Sequence, residues 1–186
     1  MAGWAMNLNT ASYLAPLQQR DNPRASASGI TVAPCVGAGW RCVLIHPLTD
    51  EENEGSHNVY IDAIDTYGRR FLPTANQMRF GWENMQPNEA PPPAIFEKNA
   101  PEPGANIPLF AGQNLWIEMQ DVAGAPSDRV SGMSLIGSGH RSYYVVFQLV
   151  SSQQDALLGR AVSVPADALM DVKARLRDAL ATMETW

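Results

Sequence analysis

The chain has 186 residues, of which 45% are hydrophobic and 17% charged, and its formal net charge is −6. This length allows one domain with appendages and a core that needs no metal ion or disulfide. Sparse charge leaves much uncharged surface, which is typical of proteins that contact other proteins. The sequence contains no run of Lys and Arg and no apolar stretch of ~18 residues, so we expect neither a nucleic-acid partner nor a membrane span.

The first 38 residues contain short apolar islands separated by Asn, Ser, Pro and Gly, without the pattern of a secretion signal. Residues 18–29 have the composition of a linker. We therefore predict an extended N-terminal arm over residues 1–38, in a protein that is made in a cytoplasm. The apolar side chains of this arm are expected to contact a neighbouring subunit. They are Trp4, Met6, Leu8, Tyr13, Leu14 and Leu17.

Alternation of apolar and polar residues predicts β-strands in the centre of the chain. Residues 40–48 form an apolar run that ends at Pro47. Residues 57–71 alternate and then reach a turn, where Gly68 supplies the positive φ of a tight hairpin. Asp62 alternates with the inward residues of this strand, so we expect it to face solvent.

Four further strands are predicted, at residues 76–85, 115–119, 130–136 and 143–150. The last of them is apolar on both faces, which predicts a central strand. Together the strands predict a mainly β domain over residues 39–151, a small antiparallel β-sandwich of jelly-roll or immunoglobulin-like type.

Two segments between the strands are predicted to be loops. Residues 49–56 contain four acidic side chains but not the alternating pattern of a calcium loop, so we expect a solvated loop. Residues 86–108 contain seven prolines, which favour an extended surface path without ladder hydrogen bonds. A long segment without regular structure is often functional, so this is our main candidate for a functional loop.

Residues 152–186 are predicted to form a linker and a C-terminal amphipathic helix, because apolar residues recur there at spacings of three and four. The apolar stripe is expected to make assembly contacts. Its period is compatible with packing on the sandwich and with pairing between copies. The stripe consists of Leu169, Val172, Leu176, Leu180 and Met183.

Cys35 and Cys42 are predicted to be two reduced, buried thiols, with a short-loop disulfide as the alternative. They cannot complete a four-ligand zinc site alone. His46, His57 and His140 lie near strand ends and raise a metal hypothesis, but their spacing lacks the close pairing of metal motifs. We therefore predict no metal and no cofactor.

The sequence contains no catalytic motif that we can assign. Ser138 and Ser142 flank His140 without the G-x-S-x-G pattern of a nucleophile elbow. Asp62 and Asp65 are close in sequence, but Asp65 is expected to bind its own turn backbone. We therefore predict that the protein is not an enzyme.

An aromatic group offers an alternative function. Trp116 points away from the apolar face of its strand, and flat rings of this kind stack on sugars beside polar side chains. Trp82 and Tyr143 are the other residues of this candidate glycan-binding surface.

Five segments follow one another in a fixed order, namely VYIDAIDTYGRRF, MRFGW, IPLFAGQNLWIEM, SDRVSG and HRSYYVVFQLV. Their order resembles that of small β-sandwich modules of bacteriophage genomes, which occur with phage and prophage cell-wall hydrolases and virion proteins. The resemblance covers about three-fifths of the chain, roughly residues 40–150, and it carries no catalytic residues.

The resemblance and the apolar flanks lead to one functional expectation. We expect a non-enzymatic virion structural or assembly protein of the tail, neck or capsid exterior, made in the host bacterial cytoplasm. Its partners are expected to be other virion proteins and further copies of itself. The alternative is a glycan-binding module that attaches a virion or lysin to the bacterial surface.

Overall fold

The computed structural model describes residues 23–53, 55–71, 77–99, 102–135 and 139–151, which form two β-sheets with short helical segments. The strands are β1 (Thr31–Ala33), β2 (Gly39–Pro47), β3 (Asn58–Ile64), β4 (Arg70–Phe71), β5 (Gln77–Trp82), β6 (Ala94–Ile95), β7 (Ala105–Pro108), β8 (Asn114–Gln120), β9 (Arg129–Ser134) and β10 (Tyr143–Val150). The helices are α1 (Pro23–Ala27) and α2 (Asp50–Asn53), and Pro87–Glu89 forms a 3₁₀ turn. The prediction of a mainly β protein is confirmed.

The ten strands are divided between two sheets. Sheet A has the order β1-β9-β8-β5-β6 and is antiparallel throughout. Sheet B has the order β2-β10-β3-β4, and β7 also pairs with β3. Strand β10 is central, as its apolar character on both faces predicts. It runs parallel to β3, so sheet B is mixed and the expectation of a purely antiparallel domain is corrected.

The inner faces of the two sheets share one hydrophobic core, which gives a sandwich-like arrangement. Alternate residues of β8 and β10 point into it, because successive side chains of a strand lie on opposite faces. Its buried members include Trp40, Ile61, Met78, Leu115, Ile117, Val130, Tyr143, Val145 and Phe147.

The outer face of sheet B is apolar as well. Val43, Ile64, Tyr144 and Val146 form a second buried cluster there, with Leu48 at its edge. This second cluster explains why β10 lacks the usual polar alternation, since residues on both of its faces are buried.

The expectation that Asp62 faces solvent is wrong. Asp62 lies on the outer face of sheet B but is only 2% exposed. Its carboxylate accepts hydrogen bonds from Arg70 Nε at 2.8 Å, Gly104 N at 2.9 Å and the Tyr144 hydroxyl at 2.7 Å. The alternation along β3 correctly placed Asp62 on the outer face of the sheet. It could not predict that Arg70, Gly104 and Tyr144 cover Asp62 on that face.

Part of the predicted N-terminal arm belongs to the domain. Strand β1 pairs with β9, and Ala25 and Ile30 are buried in the core. Gly29 also lies so close to Gly132 that a Cβ at Gly132, where φ is +95°, would come within 2.3 Å of the Gly29 carbonyl oxygen. The segment from residue 23 onward is therefore not a linker. At the other end, β10 stops at Val150.

The proline-rich segment contains ladder hydrogen bonds, contrary to expectation. Strand β6 pairs with β5 in sheet A, and β7 pairs with β3 in sheet B, so the segment crosses from one sheet to the other. Both strands use the residues between the prolines, which keep their backbone N–H groups, and Pro108 stands at the end of β7. Arg70 fixes this crossover by donating to the Glu102 carbonyl oxygen.

The acidic segment is also more ordered than predicted, because it contains helix α2. Glu52 accepts a hydrogen bond from Thr49 N at 2.7 Å, and Glu52 N donates to Thr49 Oγ1 at 3.3 Å. This reciprocal arrangement is a capping box, which satisfies backbone groups at the start of a helix.

Candidate functional site

Strand register defines two ends of the molecule. Gly39 lies opposite Val150, and Gln148 lies opposite Ile64, so β2 begins where β3 and β10 end. We call this the turn end, and it carries the loops 34–38, 65–69 and 121–128. The opposite end, where β2 ends and β3 and β10 begin, carries the three histidines and is called the histidine end.

The first loop of the turn end is the β3–β4 hairpin, which confirms the predicted turn. Asp65 accepts hydrogen bonds from Tyr67 N at 2.8 Å and Arg69 N at 2.9 Å, and Gly68 has a φ of +78°. Burial raises the pKa of Asp65, but these hydrogen bonds and the ion pair with Arg69 outweigh it and lower the pKa below 3.8. Tyr67 at the tip of the turn is 72% exposed, with the Arg69 guanidinium 5.2 Å from its ring centre.

The second loop is also held by an aspartate that accepts a hydrogen bond from the backbone of its own turn. Asp121 accepts hydrogen bonds from Ala123 N at 2.6 Å and from the indole Nε1 of Trp40 at 2.7 Å. Gly124 N donates to the Asp121 carbonyl oxygen, as Gly68 N does to that of Asp65. The tip residue Val122 is 73% exposed. The bond to Trp40 ties this loop to the start of β2.

The third loop is held by a fully buried carboxylate. Asp128 accepts hydrogen bonds from the backbone N–H groups of Cys35 at 2.9 Å and Cys42 at 3.0 Å, and it pairs with buried Arg41 at 3.0 Å. Arg41 also donates to the carbonyl oxygens of Cys35 and Gly37. The loop therefore folds around an ion pair, and its tip residue Val36 is 90% exposed.

Cys35 in this loop and Cys42 in β2 are free thiols, as predicted. Cys42 is buried, but Cys35 is only half-buried, which corrects the prediction that both are buried. Burial and the charge of Asp128 raise the pKa of Cys35 to about 11, and burial raises the pKa of Cys42 further. A raised pKa keeps a thiol protonated at neutral pH and lowers its reactivity. The environment of Cys35 and Cys42 therefore favours a structural role for both residues.

The three loops share one design, in which an aspartate fixes the backbone and a large apolar side chain is exposed at the tip. Sequence reasoning had identified the turn at 65–68 but had not singled out Val36 or Val122. A signal was present for the loop of Val122, because the pattern Asp-x-x-Gly occurs both at 65–68 and at 121–124, but the loop of Val36 has no such pattern. Exposure of the tip residue depends on the fold and has no sequence signal of its own.

The assembly contacts predicted from the sequence lie outside the described residues. These are the arm residues Trp4, Met6, Leu8, Tyr13, Leu14 and Leu17 and the stripe residues Leu169, Val172, Leu176, Leu180 and Met183. The chain leaves the described part at Ser151, directly after Val150 and therefore at the turn end.

The structure does not bring the three predicted glycan-binding residues together. Tyr143 is 0% exposed and donates its hydroxyl to the Ser134 carbonyl oxygen, so its assignment to a binding surface is corrected to a core position. Trp116 lies on the outer face of sheet A, as predicted, where Gly81 leaves room for its ring. The Arg129 guanidinium stacks 4.2 Å from the centre of that ring. Trp82 falls on the opposite face, in register with Leu115.

The three histidines all lie at the histidine end, and two of them, His57 and His140, are neighbours. His46 shares a hydrogen bond of 2.9 Å with Glu52. The rings of His57 and His140 have centres 5.9 Å apart. Ser142 is fully buried and accepts a hydrogen bond from Asn58 N, which is a structural role. Within the ranges that the structure describes, no three His, Cys, Asp or Glu side chains are grouped as a metal site.

Comparison with known proteins gives no assignment. The chain matches no protein-family model, and no curated protein or solved structure is significantly similar to it. Among the described residues, no helix is long and apolar enough to span a membrane.

Proposed function

We propose that this protein is a non-enzymatic structural or assembly component of a bacteriophage virion, in the tail, neck or capsid exterior. The observation that carries the proposal is the turn end, where Val36, Tyr67 and Val122 are exposed on three loops at the same end of the molecule. Large apolar side chains that a fold leaves exposed on one side are available for contact with another protein. In this proposal the partners are further copies of the chain and other virion proteins.

The rigidity of the three loops supports this role. A flexible loop loses conformational freedom when it binds, and this loss reduces affinity. Asp65, Asp121 and Asp128 already hold the loop backbones by hydrogen bonds in the free chain. The turn end therefore presents its apolar side chains at a reduced entropic cost.

The chain segments on either side of the described residues fit the same role. Burial of several apolar side chains of the arm and of the C-terminal stripe contributes ~25 cal/mol per Å² of apolar surface, before ordering costs are subtracted. In the proposal, the arm and an amphipathic C-terminal helix lock neighbouring subunits together, while the turn end supplies the rigid contact.

The use of the carboxylates favours a non-enzymatic role. Asp62, Asp65 and Asp128 each bind backbone N–H groups and an arginine, so their charges are compensated within the fold. A general acid or base needs a carboxyl group that can reach a substrate. These three aspartates instead stabilise a crossover and two loops.

The phage assignment depends on the resemblance of residues 40–150 to small β-sandwich modules of phage genomes. In the finer form of the proposal, the domain is an immunoglobulin-like or jelly-roll sandwich that is made in the bacterial cytoplasm and ends up in the virion. The two five-stranded sheets with one shared core are compatible with this form.

The proposal is tested by the solution mass of the full chain, measured by light scattering. We expect a defined oligomer for the native sequence. The triple variant Val36→Ser, Tyr67→Ser, Val122→Ser should have a smaller mass, because it loses the apolar contact but keeps the aspartates that hold the loops. A chain without residues 1–17 should also have a smaller mass, since it lacks the apolar anchors of the arm.

A matched control uses the variant Phe110→Ser, which removes an exposed apolar side chain at the histidine end, close to the pairing of Pro108 with Asn58. Its mass should equal that of the native chain, and circular dichroism should show that every variant is folded. A native mass for both the triple variant and the shortened chain would contradict the assembly role of these surfaces.

A second candidate function is glycan attachment, and the position of Trp116 favours it. The Trp116 ring is partly exposed on the outer face of sheet A, beside the ion-paired side chains of Glu118 and Arg129. In this candidate, Trp116→Ala abolishes binding to host cell-wall polysaccharide in a pull-down, whereas Trp82→Ala does not. Equal binding by both variants would remove Trp116 from consideration.

A further inference from the structure

The histidine end contains two imidazole rings that form no hydrogen bond or ion pair within the described part of the chain. They belong to His57 and His140, both exposed, with ring centres 5.9 Å apart and planes inclined by 31°. His46 differs from them, because it shares a hydrogen bond with Glu52. With respect to the described residues, His57 and His140 therefore combine closeness with ring nitrogens that have no hydrogen-bond partner.

The backbone holds the two histidines near each other. The His57 carbonyl oxygen accepts a hydrogen bond from Leu109 N at 2.8 Å. The next residue, Asn58, donates its N–H to Ser142 Oγ at 3.0 Å, and Ser142 follows His140 by two positions. The Ser142 carbonyl oxygen in turn accepts from Leu48 N. Four segments, around residues 48, 57, 109 and 142, are thus joined by hydrogen bonds next to the two histidines.

The separation of the rings suits a shared metal ion. A zinc ion binds imidazole nitrogen at about 2.0–2.1 Å, which places the centres of two rings on one ion roughly 5–6.5 Å apart, depending on the angle between the bonds. The observed 5.9 Å lies in this range. Both side chains are exposed, so small rotations of the rings displace no core residue.

The surroundings of the pair select the kind of ion. The rings border a shallow pocket of about 280 Å³ whose other walls include Leu109, Phe110, Ala111 and Leu135. Apart from the two imidazoles these side chains are apolar and supply no oxygen ligand. Imidazole suits zinc, nickel and copper, whereas calcium and magnesium require oxygen ligands.

We propose that His57 and His140 form a two-histidine site for a divalent transition-metal ion such as Zn²⁺, with water in the remaining positions. The site is independent of the assembly role, and it departs from the sequence-based prediction that the protein binds no metal. With two protein ligands, the site is open and binds more weakly than a closed four-ligand structural site. Because the ion joins the start of β3 to the segment before β10, its binding stabilises the folded chain.

The test is a titration of the full chain with zinc chloride at pH 7.5, followed by calorimetry and by the thermal unfolding midpoint. We expect saturable binding of one ion and a rise in the midpoint. His57→Gln and His140→Gln should each weaken binding by at least about tenfold, since loss of even an outer-shell partner of a metal site costs about 10–100-fold. Both variants should unfold at the native midpoint without zinc, because both side chains are exposed.

His46→Gln is the matched control, since it removes a third imidazole at the same end and should leave zinc affinity unchanged. Magnesium chloride should leave the midpoint unchanged as well. Native affinity in both His57→Gln and His140→Gln would overturn the proposal, and so would an equal loss in His46→Gln. A zinc-dependent doubling of the mass that needs both histidines would overturn the single-chain site in favour of one shared between copies.

Discussion

The turn end and the histidine end of the molecule use their polar residues differently. At the turn end, three aspartates each hold one loop, and Asp128 does so without any exposure to water. At the histidine end, Glu52 caps a short helix, while the rings of His57 and His140 are exposed. The first end is built to keep a fixed shape, and the second keeps polar groups accessible. A rigid end suits protein contact, and an end with accessible nitrogens suits a small ligand.

The difference has an energetic basis in the burial of Asp128. A buried carboxylate is tolerated only when charge and hydrogen bonds compensate for its loss of water. Asp128 meets this condition with two backbone N–H groups and Arg41, which is itself 3% exposed. If either partner is removed, the other is left as a buried charge.

The largest effect is therefore expected for Asp128→Ala, which should lower the free energy of unfolding by about 3–5 kcal/mol, the usual cost of breaking a buried ion pair. Urea denaturation measures this loss. The exposed residue Asp50 provides the control, because Asp50→Ala should change stability by no more than about 0.5 kcal/mol. Similar losses in the two variants would mean that the turn end is not held by its buried ion pair.

A smaller effect is expected at the hairpin turn. Asp65→Ala removes the carboxylate that accepts hydrogen bonds from two backbone N–H groups. Because both groups can bind water instead, the substitution should lower the free energy of unfolding by only about 1 kcal/mol at neutral pH. The pKa of Asp65 is lowered, so its contribution is present above its ordinary value of 3.8 and is lost as the pH falls through the folded-state pKa. The stability difference between native and variant chains should therefore disappear in acid. A difference that stays constant down to pH 2 would contradict this role of the Asp65 charge.

The burial of strands β8 and β10 could be predicted from the sequence. Strand β8 was predicted with its faces, because Leu115, Ile117 and Met119 alternate with Trp116 and Glu118, and one side of that strand is open to water. Such alternation reports burial directly. Strand β10 was predicted to be central for the complementary reason, since residues on both of its faces are apolar.

Predictions failed where burial depends on distant segments. Asp62 has the alternation of a solvent-facing residue, but Arg70, Gly104 and Tyr144 converge on it from other parts of the chain. Asp128 gave no signal at all, because its partners Cys35 and Arg41 are about 90 residues earlier in the sequence. Local patterns contain no information about such long-range contacts, and both residues hold loops or crossovers together.

The smallest effect is expected at the histidine end, for Glu52→Gln. The Thr49 N–H is the main cause of the lowered pKa of Glu52, and burial opposes it, while His46 contributes further. Glutamine keeps an oxygen that can accept the hydrogen bond from Thr49 N, but it has no charge. Because the Glu52 side chain is 42% exposed, the loss of its charge should lower the free energy of unfolding by about 0.5 kcal/mol or less. This contribution is present above pH 4.5, the ordinary value for Glu52, and should vanish as the pH falls through the lower folded-state pKa. Parallel acid titrations of Glu52→Gln and Asp65→Ala, followed by urea denaturation, would give the ratio of the two effects. A larger loss of unfolding free energy in Glu52→Gln than in Asp65→Ala would mean that a charged side chain stabilises the histidine end more than the turn end. The assignment of the more rigid backbone to the turn end would then have to be reversed.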